Sequence, residues 1–446
     1  MEPPEPNDQI GAYRVVRPLG KGGVDDVSEG VCDKLEVHER ASVARRLSYA
    51  VGDFSLCLAW NGASAFLIAV WMKVGIPMGA IGAIMFFGQL LTAVFDLIVG
   101  VACDAVRGRN VGYSLWIRRG AFPMALMLWA VFAVPDCLSG SIQITVAAVL
   151  YVLFLMVYSC CSVPYSSLLT TISLDQDSRT SFSAWRMTGA FLGAFAITTG
   201  FPLLTKSLSI SLSVVLVATS LFVGLFASSC GVREKTNCRT IGRRVDGMRG
   251  FLPVIRNKSF LRLFAVAVLF CAGNSARFGA LALFVAETTS SAALCSSGFA
   301  CLTLASACGA SLVPCLSRRF GLFRLFGCAA ILSSVASGAY FALAGCSQNA
   351  LFAFLVLVEL CSGMMPSICN VLVSSFADRH GGDVAGRIFA IWGLTGKLGN
   401  GLGALAIALS IAACPGRTGA LVALAVVPAF LMAVLFFLLP KGRVHV

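Results

Sequence analysis

Long apolar runs, each closed by a polar or basic turn, repeat along this chain from about residue 47 to residue 440. About 20 helical residues cross the ~30 Å hydrocarbon core of a bilayer, and most of the runs reach that length. Inside lipid, the backbone groups of a run must bond within the run, which requires a helix. The pattern predicts twelve membrane-spanning helices, near residues 48–73, 77–102, 119–135, 141–170, 184–204, 208–230, 260–286, 291–317, 325–344, 349–376, 386–412 and 418–440.

The predicted helices form two groups of six, separated by a long basic segment. Matching basic loops recur in both groups: RGRNVGY joins the second and third helices, and SRRFGLFR joins the eighth and ninth. We therefore predict an all-α integral membrane protein with two six-helix pseudo-repeats, an arrangement that resembles the major facilitator architecture. Its expected parts are a polar tail at 1–46, an N-terminal half at 47–230, a linker at 231–259, a C-terminal half at 260–440 and a second tail at 441–446.

Composition and charge agree with this architecture. The chain has 446 residues, 58% of them hydrophobic and 12% charged, whereas soluble domains carry about 25% charged residues. The net charge of +13 does not indicate a nucleic-acid partner, because 28 of the 34 basic residues fall in the tails and in loops on one side. By the positive-inside rule both termini lie in the cytoplasm, and we expect a plasma membrane or bacterial inner membrane location. The six exceptions are Lys73, Lys206, Arg417, Arg186, Arg277 and Lys397.

The eighteen cysteines do not indicate a disulfide framework. Most lie in apolar spans, where cysteine acts as a small hydrophobic residue. Cys301, Cys308 and Cys315 recur every seven residues on one helix face, which we interpret as packing rather than a metal site. No nucleophile–base pair and no metal-ligand set appears, so we expect neither an enzyme nor a cofactor. The first 46 residues lack the apolar core of a signal peptide, and we expect a flexible tail.

Six charged residues interrupt the apolar spans. One charge at the bilayer centre costs roughly 2.5–3.5 kcal/mol on insertion scales, so such residues usually have a function. Three acids and three bases balance, and could pair around an aqueous cavity. These residues are Asp53, Asp96, Glu359, Arg186, Arg277 and Lys397.

Helical spacing groups polar residues on shared faces. Asp53 and Cys57 lie one turn apart, as do Thr92 and Asp96. For Glu359 we expect pairing with a neighbouring base rather than a second proton site. For Arg277 we expect a structural pair, although it could bind an anionic substrate. His380, in the loop DRHGGD, we expect to be solvated.

Four stretches carry a family resemblance. They are RRLSYAVGDF in the first helix, AVFDLIVG followed by DAVRGR at the second, VPYSSLLTTISLDQDSRTSFSAWRMTGAFLG across the fourth and fifth, and AGRIFAIWGLTGKLG at the eleventh. In this order the stretches resemble the glycoside–pentoside–hexuronide:cation symporters, the melibiose-permease group of the major facilitators. The resemblance covers roughly residues 45–440.

The resemblance implies a secondary active transporter that moves a small polar solute, a sugar or glycoside, by alternating access. Its cation-coupling residues are Asp96 and Thr92, with Lys397 as the partner of Asp96 across the two halves. Its gate is formed by Asp104, Arg107 and Arg109, which alternatively serve only as topology anchors. Its substrate-binding residues are Asp53, Cys57, Ser162, Tyr165, Ser166, Arg186 and Lys397.

The chain departs from the family pattern at several polar positions. The first carboxylate of the second-helix pair is replaced by Thr92, and an acid of the fourth helix by Ser162. Ser166 replaces the aromatic residue that stacks on sugar, and Cys57 replaces an acid or amide. Sodium prefers several oxygen ligands, whereas a proton needs one titratable acid. We therefore favour coupling to a proton, or uncoupled transport, over sodium.

Two further functions remain open from the sequence. The small residues at Cys57, Ser162 and Ser166 could widen the cavity for an amphiphile, because the fourth-to-fifth-helix stretch also resembles the lysophospholipid symporters. The same bundle could alternatively serve a membrane receptor that does not transport. The expected partners are a small-molecule substrate, a coupling cation and the lipid bilayer, with no nucleic acid, and we expect a monomer.

Overall fold

The computed structural model divides the chain into two compact units, Met1–Ser42 and Val43–Val446. The residues that it describes are 9–10, 13–18, 28–31, 42–107, 112–133, 138, 140–173, 175–232, 234, 251–288, 292–343, 348–379, 385–414 and 417–438.

The N-terminal unit contains a small antiparallel sheet in the order β1 (Gln9–Ile10), β2 (Tyr13–Pro18) and β3 (Ser28–Val31). Tyr13 pairs with Ile10, and the β2–β3 register shifts between Val15 and Arg17. The adjacent valines of β2 favour extended backbone. The expectation of a flexible tail is therefore wrong for these strands.

The second unit is entirely helical over its described residues. Its N-terminal half holds α1 (Val43–Lys73), α2 (Met78–Arg107), α3 (Tyr113–Phe132), α4 (Gly140–Ser167), α5 (Leu169–Ile172), α6 (Gln176–Ser207) and α7 (Ile210–Gly231). Its C-terminal half holds α8 (Leu252–Arg256), α9 (Lys258–Thr288), α10 (Ala292–Phe320), α11 (Leu322–Ala342), α12 (Gln348–Arg379), α13 (Ala385–Ala413), α14 (Arg417–Leu421), a π-helical turn (Val422–Val426) and α15 (Val427–Leu438).

These helices confirm a multi-pass, all-α membrane protein. Ten of the described helices are long and apolar enough to span a bilayer, or eleven if the bent pair Val43–Ser64 and Phe66–Lys73 counts as one span. The predicted twelfth span contains only a shorter apolar helix, Val422–Val434, so length and composition do not confirm a count of twelve.

Several boundaries differ from the predicted ones. Helix α1 begins at Val43, inside the predicted tail. The end of a helix depends on capping and packing as well as on the thickness of the bilayer. The predicted linker contains α8, whose Val254 is buried. The predicted tail at 441–446 lies outside the described residues.

Glycines let helices approach closely within each half. A Cβ atom at Gly189 or Gly193 of α6 would clash with a carbonyl oxygen of α1. In the C-terminal half, Gly309 of α10 and Gly363 of α12 each meet the other helix's backbone in the same way. These close contacts join each half into a compact body.

The cysteines predicted to pack along α10 are not packed. Cys301, Cys308 and Cys315 are all exposed on the helix surface. The seven-residue spacing did place them on one face, but that face points away from the neighbouring helices. The packing interpretation is therefore wrong.

The two halves meet where α6 packs on α10 and α12 and where α2 packs on α13. We call the contact between α2 and α13 the seam. The seam comprises Asp96, Gly100 and Asp104 of α2, spaced one turn apart, facing Lys397, Ala390, Gly386 and Arg387 of α13. A Cβ atom at Gly100 would lie 2.7 Å from the Ala390 Cβ and 2.8 Å from the Gly386 carbonyl oxygen, so only glycine fits there. Beyond Lys397, the consecutive residues Asn400, Gly401 and Leu402 are exposed, and the seam ends.

Candidate functional site

A buried ion pair joins α1 and α6 at the middle of the N-terminal half. The Arg186 Nε lies 3.0 Å from the Asp53 Oδ2, and each residue is less than a tenth exposed. The Arg186 Nη2 donates to the Ser166 Oγ of α4 at 3.1 Å, while the buried Nη1 has no hydrogen-bond partner. Arg186 therefore links three helices and retains an unused donor. Sequence analysis predicted all three residues for substrate binding.

Tyr165 lies beneath this pair rather than on a cavity wall. Its side chain is fully buried, and its ring centre is 5.3 Å from the Arg186 Cζ. Its hydroxyl donates to the Tyr49 carbonyl oxygen, and the two tyrosine rings stack 4.9 Å apart. Direct contact with a substrate, as the sequence analysis had it, does not fit this position. Tyr165 instead holds Arg186 in place through a cation–π contact.

The predicted substrate residues Cys57, Ser162 and Ser166 lie on the two helices that contact Arg186. Cys57 is half-buried one turn after Asp53 on α1. Ser162 and Ser166 are half-buried one turn apart on α4, so both hydroxyls belong to the same helix face. The structure thus brings α1, α4 and α6 together as predicted.

An aromatic pair that was not predicted from the sequence lies on α1 and α4, on the faces that carry Asp53 and Ser162. Trp60 of α1 and Tyr158 of α4 are half-buried, with ring centres 5.1 Å apart. Helical spacing was the available signal: Trp60 follows Asp53 by two turns, and Tyr158 precedes Ser162 by one.

The predicted cation-coupling acid pairs across the two halves. The Asp96 Oδ2 lies 2.8 Å from the Lys397 Nζ. The Asp96 side chain is buried, and the Lys397 side chain is 20% exposed. The partner predicted from sequence is therefore the observed one. The Thr92 hydroxyl, also a predicted coupling group, donates to the Gly88 carbonyl oxygen of its own helix. Among the described residues, no group of three or more His, Cys, Asp or Glu side chains could hold a metal ion.

The far end of the seam carries the predicted gating acid. Asp104 accepts hydrogen bonds from the Gly386 amide at 2.7 Å and the Arg387 amide at 3.2 Å, at the start of α13. Its Oδ2 also lies 3.3 Å from the Arg387 Nε. The side chain of Arg107 and all of Arg109 lie outside the described residues. A carboxylate at a helix N-terminus is favoured by the helix dipole as well as by these bonds.

Two more ion pairs cross between the halves at the same end. Arg179 of α6 pairs with Asp378 of α12 and donates to the Ser173 carbonyl oxygen at 2.9 Å. Arg318 and Asp177 are 3.2 Å apart, but both are mostly exposed, and such a pair contributes little. None of these residues was predicted from the sequence to form the gate.

Another buried pair lies wholly within the C-terminal half. The Arg277 Nε and Glu359 Oε1 are 2.5 Å apart, and both side chains are almost completely buried. Arg277 also donates to Asn274 and Ser362, and Ser306 donates to Glu359. This is the structural pairing expected for both residues. His380 lies outside the described residues.

Comparison with known proteins shows which family and fold the chain shares. A family model described as MFS/sugar transport protein matches residues 48–441. The chain is 27% identical over 161 residues to the "Inner membrane symporter YicJ" of Escherichia coli strain K12, covering 36% of this chain and 35% of YicJ. It is 29% identical over 154 residues to the "Putative glycoside/cation symporter YagG" of the same strain. This match covers 34% of this chain and 33% of YagG. The matched stretch spans about a third of the length of these curated relatives.

A solved structure shares the fold. The crystal structure of the Escherichia coli fucose:proton symporter FucP matches with a TM-score of 0.65 and 15% identity, covering 88% of this chain and 97% of that chain. At this identity the match shows the fold alone.

Proposed function

The chain belongs to the family described as MFS/sugar transport protein, and on this premise we propose that it is a secondary active transporter that carries a sugar or glycoside together with a proton. The names of YicJ and YagG, a symporter and a proposed glycoside/cation symporter, support this class. Symport requires a solute site and an ion-responsive site that both influence the same conformational equilibrium.

The solute site is the wall formed by Asp53, Arg186 and Ser166 with the aromatic pair Trp60 and Tyr158. This one constellation carries the proposal. A carboxylate and a guanidinium form charge-assisted hydrogen bonds with hydroxyl groups, and the unused Arg186 Nη1 offers a further donor. The aromatic rings supply an apolar surface for the face of a sugar ring. In this chain Ser166 replaces the aromatic residue on which a sugar stacks in the family. Trp60 and Tyr158 would provide that stacking surface instead.

The coupling site is the Asp96–Lys397 pair. Protonation removes the negative charge of Asp96 and with it the attraction that holds α2 to α13 at this point. An ionised Asp96 therefore favours the joined seam, and a neutral Asp96 favours its separation. Beside Asp96, Thr92 supplies a hydroxyl but no second carboxylate, whereas a proton needs only one titratable acid. This supports a proton as the coupling ion.

The direction of opening follows from charge. We place both termini and the joined end of the seam in the cytoplasm, in keeping with the basic loops. The described conformation then faces outward, with Asp104–Arg387 and Arg179–Asp378 closing the cytoplasmic end. Alternating access requires these contacts between the halves to break when the site opens inward.

The test is uptake by proteoliposomes of a radiolabelled panel of neutral sugars, glycosides and sugar acids, together with a lysophospholipid, under an imposed proton or sodium gradient. We expect proton-driven accumulation of a sugar or glycoside. Trp60→Ala should abolish it, and Trp129→Ala, at an exposed tryptophan on α3, should not. Accumulation of the lysophospholipid alone would establish an amphiphile carrier, and sodium-driven uptake would overturn proton coupling. Absence of any uptake, with specific sugar binding, would indicate a receptor.

A further inference from the structure

The short helix α8 and the first turn of α9 expose both apolar and basic side chains. Leu252, Ile255 and Arg256 share one face of α8 at i, i+3 and i+4. Lys258, Leu261 and Arg262 repeat that spacing on α9. All six side chains are exposed. We call these six residues the α8 surface.

The three cations of this surface are not used within the protein. No hydrogen bond or ion pair joins Arg256, Lys258 or Arg262 to other groups in the described part of the chain, and the sequence from Phe251 to Arg262 contains no acid. The surface therefore offers three positive charges beside three aliphatic side chains. Its last three residues open α9, a candidate membrane span that begins at Lys258. That position corresponds to the boundary between hydrocarbon and headgroups.

The opposite side of α8 is buried against the C-terminal half near the seam. Phe251 and Val254 belong to one apolar cluster with Ala385 and Ile388 of α13. Ala385 and Ile388 flank Gly386 and Arg387, whose amides donate hydrogen bonds to Asp104. Asn257 fixes the turn between α8 and α9, because its Oδ1 accepts hydrogen bonds from the amides of Ser259 and Phe260 in the first turn of α9. The position of α8 is thereby connected to the closed end of the seam.

We propose that the α8 surface binds anionic phospholipid, with the phosphate groups on Arg256, Lys258 and Arg262 and the acyl chains against Leu252, Ile255 and Leu261. A basic segment beside apolar side chains at a bilayer surface gains from both attractions, each basic residue contributing about 1 kcal/mol. A bound lipid holds α8 against α12 and α13, and so stabilises the closed seam. This inference rests on the membrane fold and does not depend on which solute is carried.

The test compares lipids on the full-length purified protein. In detergent, phosphatidylglycerol should raise the thermal unfolding midpoint more than phosphatidylcholine, because a ligand of the folded state stabilises it. Arg256→Gln with Arg262→Gln should abolish that additional shift. The matched control is Arg319→Gln with Arg324→Gln, which removes the same charge from exposed positions on α10 and α11 and should leave the shift intact.

Two further measurements distinguish a specific lipid site from general electrostatic attraction to a basic surface. Leu252→Ser with Ile255→Ser keeps every charge and should still lose most of the shift. Soluble glycerol phosphate should give no shift, because it lacks acyl chains. Equal losses in the two arginine pairs would show diffuse surface charge and overturn the proposal, as would a full shift from glycerol phosphate or equal shifts from the two lipids. Native mass spectrometry of the same variants counts the bound lipid directly, so a variant that merely unfolds is recognised.

Discussion

The Asp104 carboxylate of α2 accepts a hydrogen bond from the Gly386 amide at the start of α13, at 2.7 Å. The bond joins the two halves, whereas the pairs Asp53–Arg186 and Arg277–Glu359 lie within one half each. The ion pairs thus separate into two classes. Pairs within a half hold a rigid body together, and pairs between halves can break and re-form as the bodies move.

Replacing Asp53 with Asn should weaken solute binding without unfolding the protein. The amide keeps the shape of the side chain but removes the charge that organises Arg186. Hydrogen bonds to charged groups contribute about 1.5–3 kcal/mol, so the apparent affinity should fall roughly tenfold or more. Equilibrium binding of the sugar found in the uptake panel measures this. Asp177→Asn, at an exposed pair, serves as control, and unchanged affinity in Asp53→Asn would remove Asp53 from the site.

Asp96→Asn should mimic the protonated carrier. It cannot form the ion pair with Lys397 or exchange a proton, so we expect solute exchange to persist while accumulation under a proton gradient is lost. Counterflow and gradient-driven uptake in proteoliposomes distinguish these two activities. Accumulation at the wild-type level by Asp96→Asn would make Asp53 the next coupling candidate.

Asp104→Asn should open the seam. Losing a charge-assisted bond of about 1.5–3 kcal/mol raises the open fraction roughly tenfold or more. Cys103, fully buried beside Asp104, reports this opening through its alkylation rate, measured peptide by peptide with mass spectrometry. Cys369, buried within the C-terminal half, should stay protected in the same sample. If Cys103 labels no faster than in the wild type, Asp104 serves as an anchor rather than a gate.

Gly100→Ala should open the seam without changing any charge. Its Cβ would lie 2.7 Å from the Ala390 Cβ, so α2 must move away from α13. Faster alkylation of Cys103 is again the expected result. Gly82→Ala, on the same helix with no described atom within 4 Å of its Cβ, should leave the rate unchanged. Similar rates in the two variants would show that the seam tolerates a methyl group.

Breaking the Arg277–Glu359 pair should affect stability rather than gating. Glu359→Leu leaves a buried guanidinium uncompensated, which costs about 3–5 kcal/mol in buried pairs. Adding Arg277→Met should restore much of the lost thermal stability, because the double variant buries no charge. Thermal unfolding in detergent compares the single and double variants. Equal melting of the two would contradict a structural role.

Sequence patterns predicted the helices because lipid leaves the backbone few alternatives. They also predicted that Asp96 would meet Lys397, since family motifs placed both near the bundle centre. The hydrogen bond of the Thr92 hydroxyl to its own helix and the burial of Tyr165 depend on side-chain rotamers and on neighbouring helices. The periodicity of apolar residues in the sequence specifies neither. Trp60 and Tyr158 were missed because aromatic residues at helical spacing look the same in a packed core and on a binding wall. The ion pairs of Arg387 and Arg179 could be identified only from the tertiary structure, because their partners lie far away in the sequence.

The position of Lys397 has a consequence for how a solute and Asp96 influence each other. The ammonium group belongs to the other half of the same molecule and lies 2.8 Å from the Asp96 carboxylate. Its concentration at Asp96 is therefore an effective concentration, set by how closely the two halves approach. Any solute that draws the halves apart lowers this effective concentration and weakens the ion pair, even though the solute never touches Asp96.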